Sequence, residues 1–374
     1  MHKNYTSLGL MSGTSGDGVD TSIINSNGID QFEVIKDKYF EYDLKIYQDI
    51  HSLKEKIFNV DDLKKFSVEL TDLERRITIF HAKIVKDLLH DNNEDVLVGF
   101  HGQTIYHNSK EKISRQLGDG KLLNQLTKKK IIYDFRKNDI LHGGEGAPLS
   151  SIFHQLIATQ NNIMLPVCFL NIGGISNITI VKEPIGSLEF FSRDIGPGNC
   201  LIDSWVRKNS KYKFDKDGLL ASAGNRNDII FEQAQELFSN RPNQKKLSFD
   251  VNDFDVSFAR GLSLEDGATT LTDFTANIIG AALFSLLSKV SSKLWNVLVC
   301  GGGRKNKILI EKIKKNTFKN ILIQPIDDYG INGDFVESQA FAFLAIRSIL
   351  KLPISFPDTT GCIKPCSGGE LINI

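Results

Sequence analysis

The feature that most constrains the fold is a strand, glycine loop and strand unit that occurs in both halves of the chain. In the first half, "SLGLMSGTSGDGVDTSIINS" (7–26) places three glycines between two stretches of strand-forming residues. In the second half, "PVCFLNIGGISNITIV" (166–181) places a Gly-Gly pair between an apolar run and an alternating one. Each segment predicts a strand, a tight turn and a second strand. Helical patterns separate such segments, which favours two α/β domains over a single sheet.

The helical patterns lie between these strand segments. Apolar residues at three- and four-residue spacing predict a helix over 59–91, and a long buried helix is predicted over 265–290. "WNVLVCGGGRKNKILIEKI" (295–313) predicts a buried strand, a triple-glycine loop and an amphipathic helix. A further helix is predicted over 334–350, near the end of the chain.

The domain boundary is expected near the glycine-rich connection "RKNDILHGGEGAPL" (136–149). We expect a first domain of residues 1–140 and 358–374, with the final segment packing back onto it. The second domain is expected to comprise residues 141–357.

Composition excludes several classes of partner. Lys and Arg total 45 and so do Asp and Glu, so no net charge draws the chain to nucleic acid or to an anionic membrane. The apolar run 278–290 is too short to span a bilayer and predicts a buried helix, and the first residues do not resemble a signal peptide.

An odd number of cysteines, five, favours reduced thiols in a cytoplasmic protein. The pair in "CIKPC" (362–366) makes a poor zinc site, since no second pair of thiols accompanies it.

The first glycine loop matches neither of two common phosphate-binding motifs. A Walker loop requires Lys and then Ser or Thr after its last glycine, but Val19 and Asp20 follow Gly18. A Rossmann fingerprint requires a third glycine three residues after the second, and a helix from there; position 21 is Thr within a strand-like stretch.

What remains is a hairpin turn with an exposed backbone. Its N–H groups and the hydroxyls of Thr14 and Ser15 can form an anion-binding concavity. Asp17 and Asp20 would repel bare phosphate, so hydrated Mg²⁺ between them is the natural complement. The alternative is a plain hairpin with an Asp-Gly turn, and residues 13–20 alone favour neither interpretation.

Two later glycine loops favour nucleotide binding. "NIGGISN" (171–177) can supply a second hairpin that faces phosphate. "VCGGGRKN" (299–306) follows a strand and precedes a helix, where glycine allows a base or ribose to approach the backbone. The order of the three loops resembles the nucleotide cleft of sugar kinases, the Hsp70 ATPase and actin.

Seven motifs together resemble the anhydro-N-acetylmuramic acid kinase family. In chain order they are "GLMSGTSGDGVD", "GFHGQTIYH", "YDFRKNDILHGGEGAPL", "NIGGISN", "DIGPGN", "CGGGRKN" and "GINGDFVESQAFAFLA". They extend from residue 9 to about residue 345, so the resemblance covers nearly the whole chain. One departure is Gly16, where the family usually has Met; glycine gives the loop more backbone freedom and leaves phosphate contacts possible.

The resemblance implies a two-domain sugar kinase/Hsp70/actin-like (ribonuclease H-like) α/β fold with its active site between the domains. It also implies a homodimer that uses ATP and Mg²⁺. The implied reaction opens the 1,6-anhydro ring of 1,6-anhydro-N-acetylmuramic acid and phosphorylates O6, as part of peptidoglycan recycling. Such a reaction needs a general base near the sugar and a charge-neutralising clamp on the phosphates.

The resemblance assigns the general base to Asp194, in "SRDIGPGNCLID". The pattern places it at the end of a strand, before a Gly-Pro-Gly turn and a helix from about Cys200, where partial burial can tune a carboxyl pKa. From the residues alone, a turn-capping role for this aspartate is the alternative. The expected nucleotide contacts are Gly13, Thr14, Ser15, Gly16, Asp17, Gly18, Val19 and Asp20, then Asn171, Gly173 and Gly174, then Gly301, Gly302 and Gly303 beside adenosine.

The expected substrate contacts are His101, Gln103, Thr104, Arg136 and Glu337. The guanidinium of Arg136 suits the lactyl carboxylate of a muramyl sugar, although the basic run around it is also typical of a solvated surface. Glu337 follows from the family match, but a glutamate at a helix start often only complements the helix dipole. A metal pair at His101 and His107 lacks a third ligand nearby in sequence.

Two other functions compete with this interpretation. One is a kinase for another amino sugar. The other is a non-enzymatic, ATP-gated binding protein of the Hsp70/actin type, which needs the nucleotide loops but no sugar pocket.

Overall fold

The structure is a computed structural model that describes residues 3–89, 96–240, 248–288 and 294–373. It forms two compact units. The first unit comprises Met1–Leu165, Val181–Ser192 and Asp334–Ile374, and the second comprises Pro166–Ile180 and Arg193–Gly333. Both contain helices and a sheet, so the predicted α/β class is confirmed.

The elements are numbered in chain order. The strands of the described residues are β1 (Tyr5–Ser12), β2 (Gly18–Ser26), β3 (Phe32–Glu41), β4 (Leu97–Asn108), β5 (Ile113–Leu117), β6 (Lys130–Tyr133), β7 (Val167–Ile172), β8 (Ile175–Val181), β9 (Phe190–Pro197), β10 (Trp295–Cys300), β11 (Ile321–Pro325) and β12 (Glu370–Ile372). The helices are α1 (Leu44–Lys54), α2 (Val60–Lys65), α3 (Ser67–Leu89), α4 (Gly120–Thr127), α5 (Lys137–Leu141), α6 (Ser151–Gln160), α7 (Cys200–Asn209), α8 (Leu219–Ala223), α9 (Asp228–Ser239), α10 (Leu264–Leu287), α11 (Lys307–Lys315), α12 (Val336–Ile349) and α13 (Pro357–Thr360).

The two sheets repeat one strand order. The first runs β12-β6-β4-β1-β2-β3, with β5 paired to β4, and the second runs β11-β10-β7-β8-β9. In the first sheet β1 is antiparallel to β2 and parallel to β4, and β4 is parallel to β6. In the second sheet β10 is parallel to both β7 and β11. The order β3-β2-β1-β4-β6 therefore corresponds to β9-β8-β7-β10-β11, which confirms the repeated rhythm predicted from the sequence.

Helix α12 packs closely on the first sheet, because two glycines leave room for it. A Cβ atom at Gly9 of β1 would lie 1.9 Å from the carbonyl oxygen of Ser338, and one at Gly99 of β4 would lie 2.5 Å from that of Phe341. Phe343 on the same helix packs against Phe153 of α6, with ring centroids 5.6 Å apart. Burial of apolar side chains such as Phe343 and Phe153 thus stabilises α12 and α6 in the first unit.

The two units differ from the predicted domain boundaries. Residues 141–165, 181–192 and 334–357 were expected in the second domain, but they belong to the first unit. Residues 141–165 and 334–357 belong to the first unit because α6 and α12 pack there, although the two segments are far apart in sequence. The final segment lies in the first unit, where β12 pairs with β6.

The predicted helix over 59–91 is two helices. The helical ladder is interrupted at Phe66, between α2 and α3, and residues 90–91 lie outside the described residues. Helix α1 was not predicted. Helix α10 is long and apolar enough to cross a membrane by length and composition alone, yet 61% of its most apolar stretch is buried within the protein. The last two residues of the predicted buried run, 289–290, also lie outside the described residues.

Candidate active site

The first glycine loop connects the antiparallel strands β1 and β2, so the predicted hairpin is confirmed. Gly16 has a φ of +61° and donates its N–H to the carbonyl oxygen of Gly13, 3.1 Å away. A left-handed φ strains other residues, which accounts for a glycine at position 16 in this chain. A Cβ atom at Gly18 would lie 2.4 Å from the carbonyl oxygen of Phe40, so this position also requires glycine.

Side chains from outside the loop hold three of its carbonyl groups. Gln103 Nε2 donates to the oxygen of Gly13 over 2.9 Å, and Lys54 Nζ donates to that of Thr14 over 2.8 Å. His51 Nε2 donates to the oxygen of Ser15 over 2.9 Å. In a trans peptide the C=O and the following N–H point in opposite directions. The N–H groups of Thr14 and Ser15 are therefore turned away from the groups that hold the loop.

The two acidic residues at the first glycine loop, Asp17 and Asp20, have different neighbours. Ser15 Oγ donates to Asp17 Oδ1 over 2.5 Å, and the carbonyl oxygen of Asp17 accepts the N–H of Tyr42. Asp20, on β2, is directly opposite Tyr39 on β3. Burial, together with the charges of Asp17 and Asp20, raises the pKa of Tyr39, so its hydroxyl remains a hydrogen-bond donor.

His101, which is buried, and Arg136, which is half-buried, form a pair in the first unit. Arg136 Nη2 lies 2.9 Å from His101 Nε2, and Arg136 Nη1 donates to the carbonyl oxygen of Gly146 over 2.7 Å. Burial and the adjacent guanidinium hold the pKa of His101 well below its usual range, so the ring is neutral. His101 then donates from Nδ1 to the oxygen of Gly102 and accepts from Arg136 at Nε2. The ring of Phe341 packs on His101, with centroids 4.6 Å apart.

The other predicted substrate contacts occupy different positions in the first unit. Glu337 lies in the first turn of α12, one turn before Phe341. Thr104 Oγ1 accepts from Gln116 Nε2 over 3.2 Å. Gln103 is fully buried; besides its bond to the loop, its Oε1 accepts the hydroxyl of Ser12 over 2.6 Å. Both ends of the Gln103 amide are therefore engaged in supporting the first glycine loop and the strand that precedes it.

In the second glycine loop, between β7 and β8, the carbonyl oxygens also accept hydrogen bonds from outside the loop. The oxygen of Gly173 accepts the N–H of Asn199, and that of Gly174 accepts the N–H of Gly198 and of Cys200, at 2.8 to 3.1 Å. A Cβ atom at Gly198 would lie 2.2 Å from the oxygen of Gly173, so the start of α7 requires a glycine to approach this loop.

Asp194 lies inside β9 rather than at its end, because the strand continues to Pro197. The expected helix start at Cys200 is confirmed. The Asp194 side chain is 5% exposed, and its Oδ2 accepts the backbone N–H of Phe249 over 2.7 Å. This bond orients the carboxylate in the second unit.

The triple-glycine loop follows β10 and forms a short 3-10 turn over Gly302–Lys305 before α11 begins. A Cβ atom at Gly301 would lie 2.3 Å from Asn171 Oδ1, and one at Gly303 would lie 2.2 Å from Ile172 Cγ2. A Cβ atom at Gly302 would have open space around it. Gly301 and Gly303 are therefore required because the loop packs closely against the end of β7.

A cleft of about 450 Å³ lies beside α11 in the second unit. Residues of α8, α10 and α11 line it, and Lys312 pairs with Asp273 at its wall over 2.8 Å. Its size is within the usual range for small-molecule sites.

Comparison with known proteins decides the family. The sequence profile of the family described as "Anhydro-N-acetylmuramic acid kinase" matches residues 5–373. The chain belongs to this family. The anhydro-N-acetylmuramic acid kinase of Pelagibacter ubique is 54% identical over 100% of this chain and 99% of its own length. Those of Zymomonas mobilis and Agrobacterium fabrum are 37% and 35% identical, over 97% and 98% of this chain and 98% of their own lengths.

Solved structures outside this kinase family are more distant. The activator of 2-hydroxyisocaproyl-CoA dehydratase from Clostridium difficile is 12% identical, covers 91% of this chain and 94% of its own, and has a TM-score of 0.40. A hexokinase from Schistosoma mansoni is 10% identical, covers 91% and 85%, and has a TM-score of 0.35. Such distant likenesses say nothing about activity.

Sequence reasoning missed two residues of this kinase that hold the first glycine loop, His51 and Lys54. Both lie on α1, which was not predicted, and both fall in the last turn of that helix. The signal in the sequence was an Asp-capped stretch with apolar residues at Ile46, Ile50 and Leu53.

The triple-glycine loop generates a stability prediction with a matched control. We expect Gly303→Ala to lower the free energy of unfolding by about 1–3 kcal/mol, because its methyl group would overlap Ile172. Gly302→Ala, one residue away in open space, should change it by less than about 0.5 kcal/mol. Urea unfolding of both variants measures the difference, and equal losses would contradict the assignment of the two positions.

Proposed function

We propose that this chain uses ATP to open the 1,6-anhydro ring of 1,6-anhydro-N-acetylmuramic acid and to phosphorylate O6, which yields N-acetylmuramic acid 6-phosphate. Membership of the kinase family supports the reaction class. The observation that carries the proposal within the structure is the loop over residues 13–17, whose carbonyl groups are held back by Gln103, Lys54 and His51.

The loop supports a role as the phosphate clamp. With their carbonyls tied back, the amides of Thr14 and Ser15 present N–H groups that suit phosphate oxygens. The nucleotide enters as its magnesium complex, and the carboxylates of Asp17 and Asp20 have the hard oxygen donors that suit a hydrated Mg²⁺. Lys54 adds positive charge next to the loop, which further favours an anion.

The second unit supplies features that suit the rest of the nucleotide. The carbonyl groups of Gly173 and Gly174 are also restrained, here by backbone N–H groups rather than by side chains. Gly302 has open space around it, and the cleft beside α11 has the size of a nucleoside site. We propose that the adenosine lies beside Gly302, where a ligand can approach the backbone.

The sugar contacts are proposed for the cluster of His101, Arg136, Phe341 and Glu337. Arg136 is oriented by His101 and by the Gly146 carbonyl, so its guanidinium is preorganised for a carboxylate such as the lactyl group. Neutral His101 adds no second positive charge. For Gln103, whose amide already holds the loop, we now favour a supporting role over direct contact with sugar.

Asp194 is proposed as the general base. It accepts a proton from water while the water oxygen forms a bond to the anomeric carbon and the bond from that carbon to O6 breaks. The electron pair released on O6 forms the new bond to the γ-phosphorus, and ADP leaves with the electrons of the broken P–O bond. The bond from the Phe249 N–H fixes the carboxylate for this step.

The cellular setting is also proposed. All five cysteines are buried and none of them forms a disulfide, which supports a reducing compartment such as the cytoplasm. A homodimer is proposed on the family resemblance.

Lys54 provides a test of the phosphate clamp. We expect Lys54→Met to raise the KM for ATP about tenfold, since a charged hydrogen bond of roughly 1.5–3 kcal/mol to the loop is lost. The KM for the sugar should change little, and Lys54→Arg should restore part of the loss. Lys45→Met, on the exposed side of the same helix, is the matched control. An unchanged KM for ATP in Lys54→Met would contradict the clamp.

The proposed reaction is tested by ADP release with and without 1,6-anhydro-N-acetylmuramic acid. We expect sugar-dependent turnover, reduced about 10²–10⁴-fold in Asp194→Asn, whose amide can still accept from Phe249. Asp203→Asn, in α7, is the control and should retain activity.

Other outcomes of that assay redirect the assignment. Turnover only with different amino sugars would replace the substrate. ATP binding without turnover on any sugar would favour the ATP-gated binding protein.

A further inference from the structure

A cluster of three metal-binding side chains lies in the first unit, outside the residues of the proposed reaction. Asp139, Cys362 and Cys366 each offer one donor atom, and these atoms all lie within 4.8 Å of one another. All three side chains are buried. The sequence alone made the "CIKPC" thiols a poor zinc site, but the fold adds a carboxylate from more than 200 residues away.

We propose that Asp139, Cys362 and Cys366 bind a zinc-like divalent cation. Two thiolates and one carboxylate are typical zinc donors, and their softness excludes Mg²⁺. In a tetrahedral site with Zn–S bonds of about 2.3 Å and Zn–O bonds of about 2.1 Å, sulfur and oxygen donors lie about 3.6 Å apart. Cys366 Sγ and Asp139 Oδ1 lie 3.9 Å apart, close to this separation. All three donor atoms lie within 4.8 Å of one another, so they would move closer together on binding the cation.

The surroundings hold the donors in place. Thr360 Oγ1 donates to Asp139 Oδ1 over 2.6 Å, and the N–H of Gly146 donates to Asp139 Oδ2 over 2.7 Å. The backbone of Cys366 pairs with that of Ser355 in both directions. Such bonds to a ligating carboxylate orient it for a metal.

A hydroxyl group lies beside one of the thiols. The hydroxyl oxygen of Ser355 is 3.1 Å from Cys366 Sγ. It can hydrogen-bond to the thiolate sulfur and orient it toward the cation.

Binding must release protons. Cysteine binds a metal ion as the thiolate, so each thiol must lose its proton on binding. The balanced step is M²⁺ plus two thiols giving the dithiolate complex plus two H⁺, with no change in oxidation state. The affinity should therefore increase with pH across the neutral range.

The site is independent of the sugar chemistry yet adjacent to it. Asp139 holds the N–H of Gly146, and the carbonyl of Gly146 holds Arg136. The cation would thus stabilise the loop that orients Arg136. Because metal binding itself is the readout, the inference stands or fails separately from the kinase assignment.

The test is a titration of the reduced, chelator-treated full chain with Co²⁺ and then Zn²⁺. We expect one equivalent of Co²⁺ to give a thiolate-to-metal charge-transfer absorption that Zn²⁺ displaces. We also expect a rise in the melting temperature with added Zn²⁺. Cys362→Ser and Cys366→Ser should each weaken binding at least ~100-fold, because each removes a ligand, whereas removing an outer-shell partner alone costs about 10–100-fold.

Cys168→Ser, at a buried thiol of β7 in the second unit, is the matched control and should bind as tightly as the parent chain. Circular dichroism confirms that each variant is folded. Absence of the charge-transfer band in the parent chain would overturn the proposal. Equal uptake by a folded Cys362→Ser/Cys366→Ser double variant would overturn it as well.

Discussion

The interaction on which the proposed site depends is the restraint of the first glycine loop through its carbonyl groups. A hairpin loop of small residues has no fixed conformation by itself, since glycine costs the most backbone entropy to order. Gln103 from β4 and two residues from the last turn of α1 supply donors to three consecutive carbonyl oxygens. Peptide planarity then fixes the direction of the amides. In the proposed function, these restraints preorganise a glycine-rich loop for an anion.

The second unit reaches a similar result by other means. There, backbone N–H groups at the start of α7 hold the carbonyls of Gly173 and Gly174. The repeated strand order places a glycine hairpin at the same position of each sheet. The restraint, however, comes from side chains in the first unit and from a helix start in the second. Shared topology therefore determines where a loop lies, and local chemistry determines which groups it presents.

Much of this could be predicted from the sequence, because the signals are local. Alternating strands around Gly-Ser-Thr turns predicted both hairpins, and the motifs in their order predicted the family. The missing parts depend on contacts between residues distant in sequence. Lys54 acts on Thr14 only after α1 packs beside the hairpin. The unit to which α12 belongs depends on Gly9 and Gly99, which let that helix approach.

Close packing also changed the interpretation of single residues. Gly301 and Gly303 were expected beside adenosine, yet their lack of side chains is required by the end of β7. Asp194 was expected at a strand end, but the strand continues past it and the Phe249 amide orients it. Spacing alone cannot distinguish a glycine that faces a ligand from one that faces another strand.

A crystal structure with Mg²⁺ and a non-hydrolysable ATP analogue tests the central claim most directly. The account predicts β- or γ-phosphate oxygens within about 3.2 Å of the backbone nitrogens of Thr14 and Ser15. Lys54 and His51 should remain bonded to the carbonyls of Thr14 and Ser15. Phosphates bound away from residues 13–17, or a loop whose carbonyls turn toward the nucleotide, would contradict it.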